Sequence, residues 1–321
     1  MADYPFHLVR YGHDEVADLR GQLGARPFAR QDRSFQADAR RFVPGEQLET
    51  AINTAIAVGE PLLITGEPGT GKTQAAYYAA YKLGVEPVIH FQVKSDSAAR
   101  DLLYHFDTVR YFHDAHLAGG PAPGASLAKD AYIEPRALWH AFTRASALGV
   151  PQVVLIDEID KAPRDFPNDL LHELDKMEFT VVETGATISA PRNLSPIVFI
   201  TSNSERRLPE AFLRRCVYHH IRFDKELVEQ AVATRAGELR GLSDELVALA
   251  IERFLALRER HLRKLPATGE LLVWLRVLDL AAGISVERLR AQLEADLSQL
   301  PYLGVLLKDR QDIEDLHGSR W

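Results

Sequence analysis

The sequence predicts an α/β fold: a parallel five-stranded sheet flanked by helices, followed by a smaller all-helical domain. Two patterns carry that expectation. Short apolar runs bounded by turn residues recur at Pro61–Thr65, Val88–Val93, Val153–Asp157, Ile197–Ser202 and Val217–Phe223, with helical segments between them. Strands that alternate with helices form parallel sheets covered on both faces, and ligands then sit beyond the carboxyl ends of the strands. Beyond Phe223 the strand signals stop, and every later segment has helical periodicity.

Taken in order, residues 1–40 mix Arg, Asp, Gly and aromatic residues without sustained periodicity and read as a loosely structured arm. The α/β domain is expected over residues 41–223. Its first helix places Leu48, Ile52, Ala55 and Ile56 on one face and ends at Gly59. The Gly, Pro and Ala stretch Ala118–Ala128 can continue neither a helix nor a central strand, so an exposed loop is expected there. The helical domain covers residues 224–321. One helix carries Leu246, Leu249, Ala250, Phe254 and Leu257, and a second carries Leu271, Trp274, Leu275 and Leu278. The last long helix should carry Leu289, Leu293, Leu297 and Leu300. These stripes read as core packing.

Composition narrows the function classes. With 46% hydrophobic and 26% charged residues in 321, the chain can bury a substantial core. A formal net charge of -7 argues against a nucleic-acid surface as the main interface, because phosphate binding rewards clustered Lys and Arg. The single cysteine, Cys216, excludes an intramolecular disulfide and a multi-cysteine zinc site. A reducing compartment, the cytoplasm, is the expectation. No signal-peptide stretch opens MADYPFHLVR, and no run approaches the roughly 18 apolar residues of a spanning helix, so a soluble protein is expected.

Gly66-Glu67-Pro68-Gly69-Thr70-Gly71-Lys72-Thr73 follows the Pro61–Thr65 run and precedes a helical segment, which is the context a P-loop requires. Glycines let the loop turn its backbone N–H groups toward phosphate oxygens. Lys72 is expected to reach the β and γ phosphates of ATP, and Thr73 to hold Mg2+ through its hydroxyl. The run Val153–Asp157 then delivers two adjacent carboxylates. Asp157 is expected to complete the Mg2+ site, and Glu158 to polarise the attacking water. The run Ile197–Ser202 leads into Asn203, an amide suited either to orienting that water or simply to starting a turn. Arg214 and Arg215 follow, readable locally as a solvated helix end.

Other constellations fail. His172-Glu173 lacks the second histidine of a zinc motif, because position 176 is Lys. His105, His113 and His116 near Asp107 and Asp114 show no complete ligand spacing. Cys216 reads as packing.

Together these pieces resemble an AAA+ module, and their wording resembles the MoxR family within that class. The resemblance covers roughly residues 41–315. It rests on Arg41-Phe42-Val43-Pro44, the loop at Gly66–Thr73, Leu155–Ala162, the segment Leu170–Thr184, and Ile200-Thr201-Ser202-Asn203. It implies that Arg215, with Arg214 as fallback, reaches the γ-phosphate bound to a neighbouring subunit in a homo-oligomeric ring, a hexamer. It also implies an insertion, here residues 101–131, ahead of Tyr132–Trp139. One departure stands out: Gly269 and Glu270 occupy the place where the lid's nucleotide-sensing arginine is sought, with Arg276 as a substitute. The resemblance further implies an ATP-dependent chaperone or metallo-cofactor maturation factor acting on a protein client, with a von Willebrand factor A domain protein as candidate partner.

The leading expectation is therefore Mg2+-dependent ATP hydrolysis that remodels a protein. A nucleic-acid motor, helicase-like or restriction-associated, is the alternative, and it would need a basic pore-facing stripe. A nucleotide-gated scaffold without turnover would not need Asp157, Glu158 and Asn203. No Asn-Lys-x-Asp motif supports guanine specificity.

Overall fold

The computed structural model of the chain describes residues 34–117, 127–203, 207–282 and 285–318. Residues 1–33 of the arm expected over 1–40, and residues 118–126 of the loop expected at Ala118–Ala128, lie outside these. The described end of the arm is not loosely structured but carries a short helix, Phe35–Asp38, capped by the Ser34 side chain. Two compact units emerge. One holds Pro44–Gly66 and Gly71–Ile221; the other holds the described residues of Met1–Val43 and Arg222–Trp321 together with Glu67–Thr70.

The first unit is built on the expected sheet. Strands β1 (Leu62–Gly66), β2 (Ile89–Gln92), β5 (Val153–Asp157), β8 (Ile197–Ser202) and β9 (Val217–Ile221) lie in the order β2-β5-β8-β1-β9, every pair parallel. The central strands β1 and β5 are buried at every position, which is why they read as unbroken apolar runs rather than as an alternating pattern. The edge strand β9 instead alternates half-buried Val217 and His219 with exposed Tyr218 and His220. The helix Glu46–Val58 ends where expected, at Gly59, whose φ of 73° suits a residue without a Cβ. The helix Lys72–Leu83 buries only alanines and Lys72, so its backbone can lie close to the sheet. The helix Ala137–Leu148 covers β2 and β5 with Leu138, Ala141 and Phe142.

Among the described residues two small antiparallel strand pairs decorate this unit, and sequence periodicity predicts neither. Strands β3 (Tyr104–Phe106) and β4 (Ile133–Pro135) pair antiparallel, with the helix Thr108–Leu117 between them in sequence. Strands β6 (Glu178–Thr180) and β7 (Thr187–Ser189) pair likewise. Three residues per strand are too few for a period of two to stand out.

The helical unit packs the helices Asp244–Arg258, Thr268–Ala282 and Val286–Glu294 around Trp274, whose indole N–H donates to the carbonyl of Pro301 at 2.8 Å. The stripe Leu289, Leu293, Leu297 and Leu300 is buried as expected but does not form one helix. The helix stops at Glu294, and the Asp296 carboxylate takes the N–H of Ser298 at 2.9 Å, capping a separate 3-10 turn at Leu297–Gln299. None of the described helices is long and apolar enough to cross a membrane.

Asp312, 1% exposed, accepts the backbone N–H groups of Arg263 at 2.8 Å and Lys264 at 3.1 Å and so ties the final helix to the connection before Thr268. Asp312→Ala would leave both donors without that carboxylate. It should lower the unfolding free energy by roughly 1–3 kcal/mol, with Asp312→Asn less severe. Urea unfolding measures this, and an unchanged midpoint would mean that water replaces the carboxylate at no cost.

Candidate active site

Strand β1 runs out at Gly66, and Pro68-Gly69 turns the chain before Lys72 begins its helix. The loop is tied to itself: the Thr70 hydroxyl donates to the carbonyl of Glu67 at 2.8 Å. Gly71 has φ of 91°, a conformation that a Cβ would strain. Lys72 is 6% exposed and folds back, its ammonium donating to the carbonyl of Gly66 at 2.9 Å. The opening turn of this helix presents N–H groups with no helical partner, the geometry that receives anions.

The middle of the loop groups with the helical unit. Glu67 accepts a hydrogen bond from Arg258 Nη2 at 2.7 Å, and the Arg258 guanidinium stacks 3.6 Å from the centre of the Phe223 ring. Arg258 also donates to the carbonyl of Pro266. A Cβ on Gly69 would stand 2.7 Å from the Cβ of Ala267, so only glycine fits. Glu270 accepts the N–H of Ala267 at 3.2 Å. Arg276 pairs with Glu238 at 2.8 Å.

Strand β5 delivers Asp157, 5% exposed, to the Thr73 hydroxyl, which lies 3.0 and 3.2 Å from its two carboxylate oxygens. The Thr201 hydroxyl donates to Oδ1 at 2.5 Å, and His90 Nε2 lies 3.3 Å from Oδ2. Burial acts to raise the Asp157 pKa, but hydrogen bonds from His90, Thr201 and Thr73 outweigh it and hold the carboxyl below its ordinary value. The group is thus a carboxylate at neutral pH.

Glu158 stands in the left-handed region at φ 60°, which is strained for a residue with a Cβ. Its N–H donates to the Thr201 hydroxyl at 2.8 Å. Its carboxylate accepts from Gln92 Nε2 at 2.6 Å, Lys161 Nζ at 2.5 Å and Asn203 Nδ2 at 3.3 Å. Asn203 is itself oriented by its N–H bond to buried Asp160 at 3.1 Å.

The structure therefore joins Thr73 to Asp157 and Glu158 to Asn203. Arg214 and Arg215 follow the short helix Glu210–Leu213 and face elsewhere. Arg215 engages Asp175 at 2.9 Å and the carbonyl of Ala211 at 3.0 Å, while Arg214 engages Glu210 at 2.5 Å. Sequence reading does not single out His90, Gln92, Thr201, Lys161 or Arg258. The available signal is the strand order: β2 and β8 flank β5, so polar residues near their carboxyl ends, such as Gln92 and Thr201, meet Asp157 and Glu158.

Residues 61–216 match the family of AAA domains described as the dynein-related subfamily. No curated protein matches the chain significantly. Among solved structures, one described as a "putative ATPase" from Cytophaga hutchinsonii is similar with 16% identity and a TM-score of 0.40, over 88% of this chain and 92% of that one.

Proposed function

We propose that this chain, an ATPase with an AAA domain, hydrolyses Mg2+-bound ATP at the loop after β1 and uses the cycle to remodel a protein client within a homo-oligomeric ring, as the MoxR resemblance implies. The supporting observation is the meeting of four groups at the carboxyl ends of the strands: Thr73 against a buried, ionised Asp157, and Glu158 against Asn203.

These residues suit the nucleotide and its metal. A buried ammonium and the N–H groups of a helix start complement phosphate charge, and a hydroxyl beside an ionised carboxylate is an oxygen pair for a hard cation. Thr73 and Asp157 would hold Mg2+, which supplies charge neutralisation on the phosphate oxygens. Lys72 would leave the Gly66 carbonyl for the β and γ phosphates. Glu158 would orient the attacking water and accept its proton, giving up a hydrogen bond from Gln92 or Lys161 to do so. Asn203 would keep the second Glu158 oxygen in place. Arg215 would act on the neighbouring subunit's ATP, with Arg214 as the alternative.

Glu158→Gln tests the centre of this reading. It should retain ATP affinity and lose turnover by about a hundredfold or more, the scale of a positioned base. The stalled variant should also co-purify with its client in the presence of ATP and Mg2+. An undiminished rate would move the base elsewhere.

A further inference from the structure

The helical unit carries a groove that nucleotide chemistry does not use. It runs between the helices Lys225–Ala233 and Asp244–Arg258 and has a volume of about 810 Å3. Its floor is apolar, with buried Val232, Leu242 and Ile251. Its rim is acidic: among the described residues Glu229, Asp244, Glu252 and Glu259 line it against one cation, Lys225.

We propose that this groove is the docking site of the chain's own N-terminal segment, residues 19–33. Three observations select that occupant.

The first is charge and apolar content. The segment LRGQLGARPFARQDR carries Arg20, Arg26, Arg30 and Arg33 against one acid, Asp32, and sets Leu19, Leu23 and Phe28 among those cations. It is the electrostatic complement of the rim, with apolar side chains for the floor.

The second is where the described chain begins. Ser34 opens a short stretch pinned beside the groove: Asp38 pairs with Arg235 at 3.5 Å, Arg41 pairs with Glu238, and the Thr234 hydroxyl donates to the carbonyl of Arg41 at 3.2 Å. Thr234 and Arg235 follow directly on Val232 and Ala233 and precede Ala236, all three of which line the groove. The segment is thus tethered next to its site, which raises its effective concentration there.

The third is length. The helix Asp244–Arg258 spans roughly 22 Å at 1.5 Å per residue, well within the reach of fifteen residues at about 3.3 Å each.

The proposal is independent of the ATPase reading, and its test needs no nucleotide. Cys216 is the only native cysteine, and burial pushes its thiol up to about 12, so it alkylates slowly. Ala248 lines the groove and is exposed, so Ala248→Cys provides a reactive reporter. In the full chain that cysteine should label about tenfold more slowly than in a chain starting at Ser34, the ratio expected if the segment covers the groove nine-tenths of the time. A full-length Ala248→Cys chain that also carries Arg20→Glu, Arg26→Glu and Arg30→Glu should label as fast as the truncated one, and salt should weaken protection in the unaltered segment. Protection should be unchanged on dilution. Equal labelling in full and truncated chains overturns the proposal, as does protection that survives the charge reversals. Protection that fades on dilution also overturns it, since the occupant would then come from a second copy. The charge-reversed chain keeps the test decisive if the truncated one does not fold.

Discussion

Arg215→Ala should bind ATP as the unaltered chain does and hydrolyse it roughly a thousandfold more slowly, the cost of losing a cation that stabilises the transferring phosphoryl group. The loss can be assigned to chemistry because Arg215 does little for the fold. Its side chain is 45% exposed and pairs with an equally exposed Asp175, an arrangement worth about 0–1 kcal/mol. The resemblance that proposes this role also proposes that it acts across a subunit boundary, and mixing variants separates the two claims. Arg215→Ala keeps Lys72, and Lys72→Ala keeps Arg215. In a mixed ring some boundaries pair a sound loop with a sound arginine, and hydrolysis should recover there. If labelled subunits are seen to exchange and the mixture stays as inactive as its components, Arg215 does not act in trans. Arg214→Ala, made in parallel, should be nearly silent, and the opposite ranking would exchange the two roles.

Lys72→Ala is expected to cost ATP affinity a hundredfold or more. The ammonium is buried and already satisfied by the Gly66 carbonyl, so it needs only a short shift to meet phosphate oxygens. Charged hydrogen bonds of this kind contribute about 1.5–3 kcal/mol each, and two of them account for roughly that factor. The substitution also removes a buried charge, so the fold should tolerate it. Titration with a fluorescent ATP analogue reads the effect directly. Affinity equal to that of the unaltered protein would show that the loop binds no phosphate through Lys72.

The sheet was legible because its central strands β1 and β5 are buried at every position and read as unbroken apolar runs, which set the frame for the less buried β2 and β9. Each of the five runs became a strand of one parallel sheet, with ends shifted by no more than two residues. The loop at Gly66–Thr73 was legible because its glycines, Lys and Thr all fall within one unbroken stretch directly after a strand run. The partners of the acids were not, because His90, Gln92, Thr201 and Lys161 reach them through strand order and turn geometry, which a linear reading does not contain. The role of Arg258 is hidden for a similar reason: its partners Phe223 and Glu67 are remote in sequence, and an arginine in the last turn of a helix is ordinarily just a solvated cation. The stripe through Leu300 conceals the helix end because the four leucines keep helical spacing across a break whose local cause is the side chain of Asp296.

Thr201 has a consequence for how the site can vary. One hydroxyl donates to Asp157 and accepts from the N–H of Glu158, so its rotor is fixed from both sides. Strands β5 and β8 are thereby pinned into one mechanical part at their tips. A displacement of the Thr201 hydroxyl therefore acts on the carboxylate of Asp157 and the backbone of Glu158 together. Natural or engineered changes around Thr201 should thus produce correlated shifts in two kinetic quantities rather than separable ones, as when two gears are keyed to a single shaft.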